Sequence, residues 1–191
     1  MDWTNIQITS EWWEQIQDGI ETADNFVLLV SPNSIASPIC QLEISYARSL
    51  NKRIIPVLIA ETDERVAFAN LVTRDLNELQ RALLGSDDVL LIARDNWKVL
   101  SGIQWIDFTR DTFDAGVQSL THALDLDLEY VSEHTRLLVR AKDWDRHGRR
   151  PSLMLTGIDL LQAEAWLTQS EAVIPPPTPE HVAYIRESRR L

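Results

Sequence analysis

The residues best suited to chemistry lie in one stretch, Ser31-Pro-Asn-Ser-Ile-Ala-Ser-Pro-Ile-Cys-Gln-Leu-Glu43-Ile-Ser-Tyr-Ala47. It holds one carboxylate, Glu43, one thiol, Cys40, and three hydroxyls at three-residue spacing, Ser31, Ser34 and Ser37. The hydroxyls could contact a sugar or a phosphate, and Cys40 could be a reactive thiol. Trp12 and Trp13, upstream, could stack on a planar ring. Each has a plainer reading. A Glu on an amphipathic helix is ordinarily a solvated surface residue. Ser and Pro favour turns, and Ser37 before Pro38 reads as an N-cap with proline at the first helical position. A lone Cys on a helix beside a sheet is ordinarily a small packed residue, and one Trp of the pair suits the core while the other suits a contact between domains.

These residues need a scaffold, and the flanking sequence supplies one. Phe26–Val30 and Ile54–Ala60 are wholly apolar, which suits strands buried on both faces. Strand, Ser/Pro-rich loop, helix Pro38–Leu50 and strand Arg53–Ile59 make a βαβ unit, with Glu43 near the end of the sheet where α/β proteins bind small molecules. Pro56 removes a backbone donor, so an irregular ladder is expected there. Before the unit, Trp12, Trp13, Ile16 and Ile20 mark an amphipathic helix over Ser10–Thr22. After it, Val66–Leu84 reads as a helix, Asp88–Ala93 as a short strand, Gly102–Phe108 as a strand and Thr112–Leu124 as a helix. The alternation predicts an α/β fold with a parallel, doubly wound sheet. Beyond Leu128 no strand pattern appears: Glu129–Asp145, Gly157–Gln169 and His181–Arg190 read as helices, with extended Pro175-Pro-Pro-Thr-Pro179 between the last two.

Composition narrows the function. The 191 residues carry a net charge of −11, with 45% hydrophobic and 25% charged residues. That charge repels phosphates, which argues against nucleic acid and anionic membrane as partners. It is unevenly placed: residues 1–127 hold 20 acidic against 9 basic residues, and residues 128–191 hold 9 of each. The shift predicts two units, 1–127 and a helical extension 128–191 with its Pro-rich 175–179. A single cysteine allows no internal disulfide. No signal peptide and no apolar run long enough for a bilayer is legible, so a soluble, cytoplasmic chain is expected. His134, Asp143, His147 and His181 fit no compact ligand set, so no metal is expected. Arg146-His-Gly-Arg-Arg150 reads as a solvated turn. There is no phosphate-binding glycine loop and no interpretable Ser-His-Asp arrangement.

A resemblance adds to this. Trp13-x2-Ile16-x3-Ile20-x3-Asp24, then Phe26-Val-Leu-Leu-Val-Ser31-Pro32-x-Ser34-x2-Ser37-x2-Cys40-x2-Glu43-Ile44-x2-Ala47, then Asn51-Lys52-Arg53-Ile54-Ile55-Pro56-Val57 together resemble a TIR domain of bacterial defence and signalling proteins. Ile103–Phe108 looks like that family's last strand. His134-Thr-Arg-Leu-Leu138, Trp144, Gly157-x-Asp159-Leu160-x2-Ala163-Glu164-x-Trp166-Leu167 and Tyr184-Ile185 resemble the helical segment that follows such domains in bacterial multidomain proteins of the WD-repeat or STAND-like kind.

The resemblance implies a flavodoxin-like parallel sheet, self-association or pairing with another TIR protein, and in many members hydrolysis of NAD⁺ at the nicotinamide–ribose bond. NAD⁺ would then be substrate, with no cofactor. The family's catalytic glutamate maps onto Glu43, with Ser31, Ser34, Ser37, Trp13 and Cys40 as substrate-binding candidates. Breaking that bond builds positive charge on the ribose, which a carboxylate can stabilise. A neighbouring copy completes the nucleotide pocket in this family, so assembly would control activity. The resemblance also places a strand, a helix and a second strand before the equivalent of Asp2. Asp2–Ser10 would then be the loop over the nucleotide, the sheet of this sequence would lack its first strands, and Phe26–Val30 would be an exposed edge. Loss of that pocket wall favours the other function class, a non-catalytic TIR–TIR interaction module.

Overall fold

The two apolar runs without alternation form adjacent strands. In a computed structural model, which describes residues 10–73, 75–85, 88–170 and 173–191, they become β1 (Asn25–Val30) and β2 (Arg53–Leu58), parallel and in register from Asn25↔Arg53 to Val30↔Leu58. A third strand, β3 (Ile106–Asp107), pairs parallel with β2, giving the order β1-β2-β3. Among the described residues the fold is therefore α/β, a three-stranded parallel sheet among many helices, consistent with a flavodoxin-like sheet of TIR type. The expected loop Asp2–Ser10 lies outside the described residues except for Ser10, which belongs to the first helix.

Pro56 leaves the β1–β2 ladder continuous, contrary to expectation. The Ile59 N–H donates to the Val30 carbonyl at 3.0 Å and the Phe108 N–H to the Leu58 carbonyl at 2.9 Å. Main-chain groups alternate in direction along a strand, so Ile55 and Val57 face β1 while Pro56 faces β3. The missing donor falls on the β3 side, where pairing starts only at Val57↔Ile106. The expected strand Gly102–Phe108 thus shrinks to two residues.

Helix α2 (Pro32–Ile35) packs against β1 and α3 (Pro38–Ser49) against β2, with α1 (Ser10–Thr22) laid on α3. The expected helix Val66–Leu84 divides into α4 (Glu64–Thr73) and α5 (Glu78–Leu84). The second of these begins at a capping box: the Asn77 side chain accepts from Gln80 N at 2.8 Å and the Gln80 side chain accepts from Asn77 N at 3.0 Å. Asp88–Ala93 is not a strand but the start of α6 (Val89–Leu100). Asp88 caps it through the Leu90 N–H, and Ala93, Asn96 and Leu100 form its buried stripe. α7 (Phe113–Asp125) packs against β3.

Ile20, Leu28, Val30, Ile35, Ile44, Ala47, Ile54, Ala67 and Leu100 form one core, to which Leu138 is added by α8 (Leu128–Arg146). A second core joins α8 to α9 (Gly157–Gln169) and α10 (Pro179–Arg190) through Val131, Leu137, Trp144, Leu155, Ala163, Trp166 and Tyr184. No helix among the described residues is long and apolar enough to cross a membrane.

Gly116, buried on α7, makes the close approach to β3 possible. A Cβ there would meet the Phe108 ring at 2.8 Å. Gly116→Ala is expected to lower stability by about 1 kcal/mol, overpacking of ~1–3 kcal/mol offset in part by better helix propensity. Urea unfolding measures it, and Gly116→Ala with Phe108→Leu is expected to recover most of the loss.

Candidate functional site

Topology brings the candidate residues to one end of the sheet. β1 ends at Val30, so Ser31 and the start of α3 lie at the carboxyl edge of the strands, and α1, which runs down into β1, has Trp12 and Trp13 at that same edge. This is the end where open α/β sheets bind ligands.

The loop is built from its serines. The Ser34 N–H donates to Ser31 Oγ at 3.2 Å, and the Ser31 N–H donates to Ser34 Oγ at 2.9 Å, which closes a capping box on α2. Ser37 caps α3 by accepting from the Cys40 N–H at 3.4 Å, with Pro38 at the first helical position. The three candidate hydroxyls therefore shape the loop and its two helix starts.

α3 is held from behind by a polar network. Gln41, buried beneath the helix, donates to the Ile35 carbonyl at 2.7 Å. Asn96 of α6 donates to the Gln41 carbonyl and side chain, both at 2.9 Å, and accepts from Arg48 at 2.7 Å. Pro38, Gln41, Ile44 and Ala47 form the buried face. Glu43 lies off this face, half-buried, one turn beyond Cys40.

Burial pushes the Glu43 carboxyl above the usual carboxylate range, and a hydrogen bond with the Cys40 side chain pulls it partly back. A raised carboxyl near the carboxyl edge of a sheet marks a functional candidate. Cys40 thus serves the acid as a neighbour. Trp13 is half-buried on α1 and shares this end of the sheet.

Grooves lie elsewhere. A cleft of about 1200 Å³ is lined by Arg48, Ile54, Trp105, His122, Pro175 and others, without Glu43. Lys52, Arg53 and Gln104 place it at the amino end of the strands. The cleft holds Ser45, Ser49, Ser119 and His122, but among the described residues no hydrogen bond joins a serine to that imidazole, and Asp95 is the one carboxylate in its lining, so topology and not this cleft singles out Glu43. Among the described residues, no group of three or more His, Cys, Asp or Glu is placed to hold a metal.

Three features escaped sequence reasoning. Glu21 is a buried carboxylate gripped by Lys142 and Arg146 at 2.8 Å each and by the Tyr46 hydroxyl. Lys52, also buried, donates to the Glu21 carbonyl at 2.7 Å, the Ala23 carbonyl at 2.9 Å and Thr135 Oγ1 at 3.3 Å. Burial pushes its ammonium down to about 8, against the opposing pull of Asp24 and Glu21. His134 and His181 form a buried pair with ring centres 4.5 Å apart. No local signal announces these, since the partners lie far apart in sequence.

A protein-family model described as TIR domain matches residues 1–86, a stretch that contains α1, the βαβ unit and Glu43. A TIR domain is therefore supported there, and with it a role in signalling or NAD⁺ cleavage in general. TIR domains typically self-associate or pair with other TIR domains. No curated protein and no solved structure matches this chain.

Proposed function

We propose that this chain acts as a TIR signalling or defence effector that cleaves NAD⁺ at the nicotinamide–ribose bond, with Glu43 as the catalytic carboxylate. The observation that carries the reading is the half-buried Glu43 on α3, the helix that starts at the carboxyl edge of the sheet, inside the stretch that matches the TIR model. As the bond to nicotinamide breaks, positive charge develops on the ribose. An ionised Glu43 stabilises that charge or orients the ribose hydroxyls, and partial burial strengthens the effect by keeping water from screening it. Nicotinamide leaves as a neutral base and needs no acid. Ser31, Ser34 and Ser37 shape the loop, with remaining lone pairs to offer ribose or phosphate. Trp13 is the stacking candidate for a base ring. Assembly of copies governs activity.

The pH profile tests the role of Glu43. Its carboxyl titrates above the ordinary value, and the ionised form is the active one. Activity is therefore expected to fall on acidification, the decline beginning at a higher pH than for an exposed carboxylate. Nicotinamide release measured across acid pH, beside intrinsic fluorescence to confirm folding, reads this. Release that stays flat below the ordinary carboxylate range would remove Glu43 from the step.

A second reading is a non-catalytic TIR–TIR interaction module. It is favoured by the mutual hydrogen bonding of Ser31 and Ser34 and by a large cleft that lies apart from Glu43. Here Glu43→Ala leaves association unchanged and no NAD⁺ is consumed by either form.

A further inference from the structure

We propose that the cleft at the amino end of the strands binds a flat heterocycle through the main chain of Ile54. The ring sets a hydrogen-bond donor beside an acceptor on one edge and carries an anionic group. This site stands apart from Glu43 and does not rest on cleavage of NAD⁺.

The cleft opens where β3 stops short. The Phe108 N–H donates to the Leu58 carbonyl at 2.9 Å, and pairing begins at Val57↔Ile106. Carried toward the amino end, that register would bring Gly102 and Gln104 onto Ile54. Instead the Gly102 N–H donates to the Val99 carbonyl at 3.0 Å and the Ile103 N–H to the Leu100 carbonyl at 3.1 Å. The chain there is still closing the end of α6, and Pro56 has no N–H to draw it onto β2.

Ile54 keeps an unused pair of main-chain groups. The Ile59 N–H bond to the Val30 carbonyl sets Arg53, Ile55 and Val57 toward β1. By the alternation of a strand, the Ile54 N–H and C=O point to the β3 side. Among the described residues neither finds a hydrogen-bond partner there. Ile54 is buried and lines the cleft. Buried main-chain groups are nearly always paired, so a free donor and acceptor facing a cleft mark a place for a ligand. Lys52, two residues earlier, has its N–H on the Ala47 carbonyl at 2.9 Å. One residue therefore offers the pair, which suits the edge of a single ring and not an added strand.

The walls suit a ring with an anionic group. Trp105 is held in place by donating to the Leu100 carbonyl at 2.8 Å and by edge contact with Trp97. Pro175 and Pro176 come from the helical segment, fastened where Asn51 donates to the Pro176 carbonyl at 3.1 Å. Residues 1–127 hold 20 acidic against 9 basic residues, yet this lining gathers Arg48, Lys52 and Arg53 against Asp95. Asp24 offsets part of the charge of Lys52 and Arg53. Arg48 bonds only the neutral Asn96 side chain among the described residues, which leaves most of its five N–H groups for an anion.

NMR titration of the full nitrogen-15-labelled chain tests the site, read at the Ile54 amide, with uracil, N,N′-dimethyluracil and orotate as probes. Uracil is expected to move the Ile54 amide proton downfield and to saturate. Dimethyluracil, which lacks the donor, is expected to bind about fivefold more weakly or worse, the worth of one neutral hydrogen bond. Orotate, the carboxylate of uracil, is expected to bind more tightly than uracil, and Arg48→Gln to remove that gain alone. Val99→Trp and Ser119→Trp fill the cleft from exposed positions on α6 and α7 and are each expected to abolish binding. If one disturbs folding, seen by far-UV circular dichroism, the other decides. An Ile54 amide that no probe moves would overturn the site, as would unchanged binding to the folded Trp variants. Equal binding of uracil and dimethyluracil would overturn the main-chain pairing, and orotate no tighter than uracil would overturn the anionic group.

Discussion

Glu21→Ala is expected to destabilise the chain by about 3 kcal/mol, the low end of the cost of removing one partner from a buried ion pair. The Glu21 side chain is 5% exposed. Burial disfavours its charge. Hydrogen bonds from Lys142 and Tyr46, the Lys142 charge and the Arg146 hydrogen bond outweigh that, so its carboxyl is held below the usual range. The low end applies because Arg146 is 56% exposed and can find water, whereas Lys142, at 21%, and Tyr46 are left facing a gap. Tyr46 sits one turn beyond Glu43 on α3, and Lys142 and Arg146 belong to α8. Glu21 therefore ties the helical segment to the helix of the candidate acid. Glu21→Gln keeps an acceptor in place and should lose about half as much. The sign with pH follows from the lowered carboxyl: the contribution is complete above the unfolded value and is lost as pH falls through the folded one. Urea unfolding at neutral pH measures it, and a loss below about 0.5 kcal/mol, the level of an ordinary surface change, would contradict this role.

Acidification is expected to release the helical segment, through two histidines held neutral. Burial pushes the His134 imidazole down to about 3, helped by nearby His181 and Lys52 and opposed by the Pro176 carbonyl. Burial likewise pushes His181 down to about 4, with the His134 carbonyl and Glu180 opposing. Thr178 N–H donates to His181 Nδ1 at 2.9 Å, which leaves the Nε2 proton for the His134 carbonyl at 2.8 Å. Among the described residues, His134, beside Trp166, finds no hydrogen bond of normal geometry for either ring nitrogen. Between the folded values and about 6.5 the unfolded chain binds more protons. Stability is thus complete above about pH 6.5 and falls as pH drops toward 4. His134→Leu removes a polar ring that lacks a partner, so it should be neutral or stabilising at pH 7 and should flatten the acid limb. Thermal melts from pH 7 to pH 4 read both. A steeper acid limb in His134→Leu would refute the assignment.

Legibility in the sequence followed the strength of local patterns. The two strands beside Glu43 were legible because five or six consecutive apolar residues bounded by turn signals have few alternatives in a soluble chain. α1 as far as Thr22 and α9 over Gly157–Gln169 were legible from the spacing of their apolar residues. Asp88–Ala93 misled because Leu90-Leu91-Ile92-Ala93 is a short apolar run, which cannot by itself separate strand from helix. The rest of its stripe, Asn96 and Leu100, lies beyond the window that was read as a strand. Length β3 could not be judged without knowing which side of β2 Pro56 faces. At the candidate site, Ser37 and Pro38 announced a helix start, and Glu43 was legible through its place after the Ser/Pro loop. Its link to Cys40 follows from helical spacing. Glu21 was not legible: within an acidic helix it reads as solvated, and Lys142 and Arg146 follow 121 and 125 residues later. His134 reads from sequence as a residue packed among helices, as it is, but its pairing with His181, 47 residues away, was hidden by that separation.

The most direct measurement is nicotinamide release from NAD⁺ by the full chain, at increasing protein concentration, beside Glu43→Ala shown to be folded. Release is expected to rise more steeply than protein concentration and to vanish in Glu43→Ala, as cleavage by an assembled site requires. No release at any concentration, or equal release by the two proteins, would contradict catalysis through Glu43.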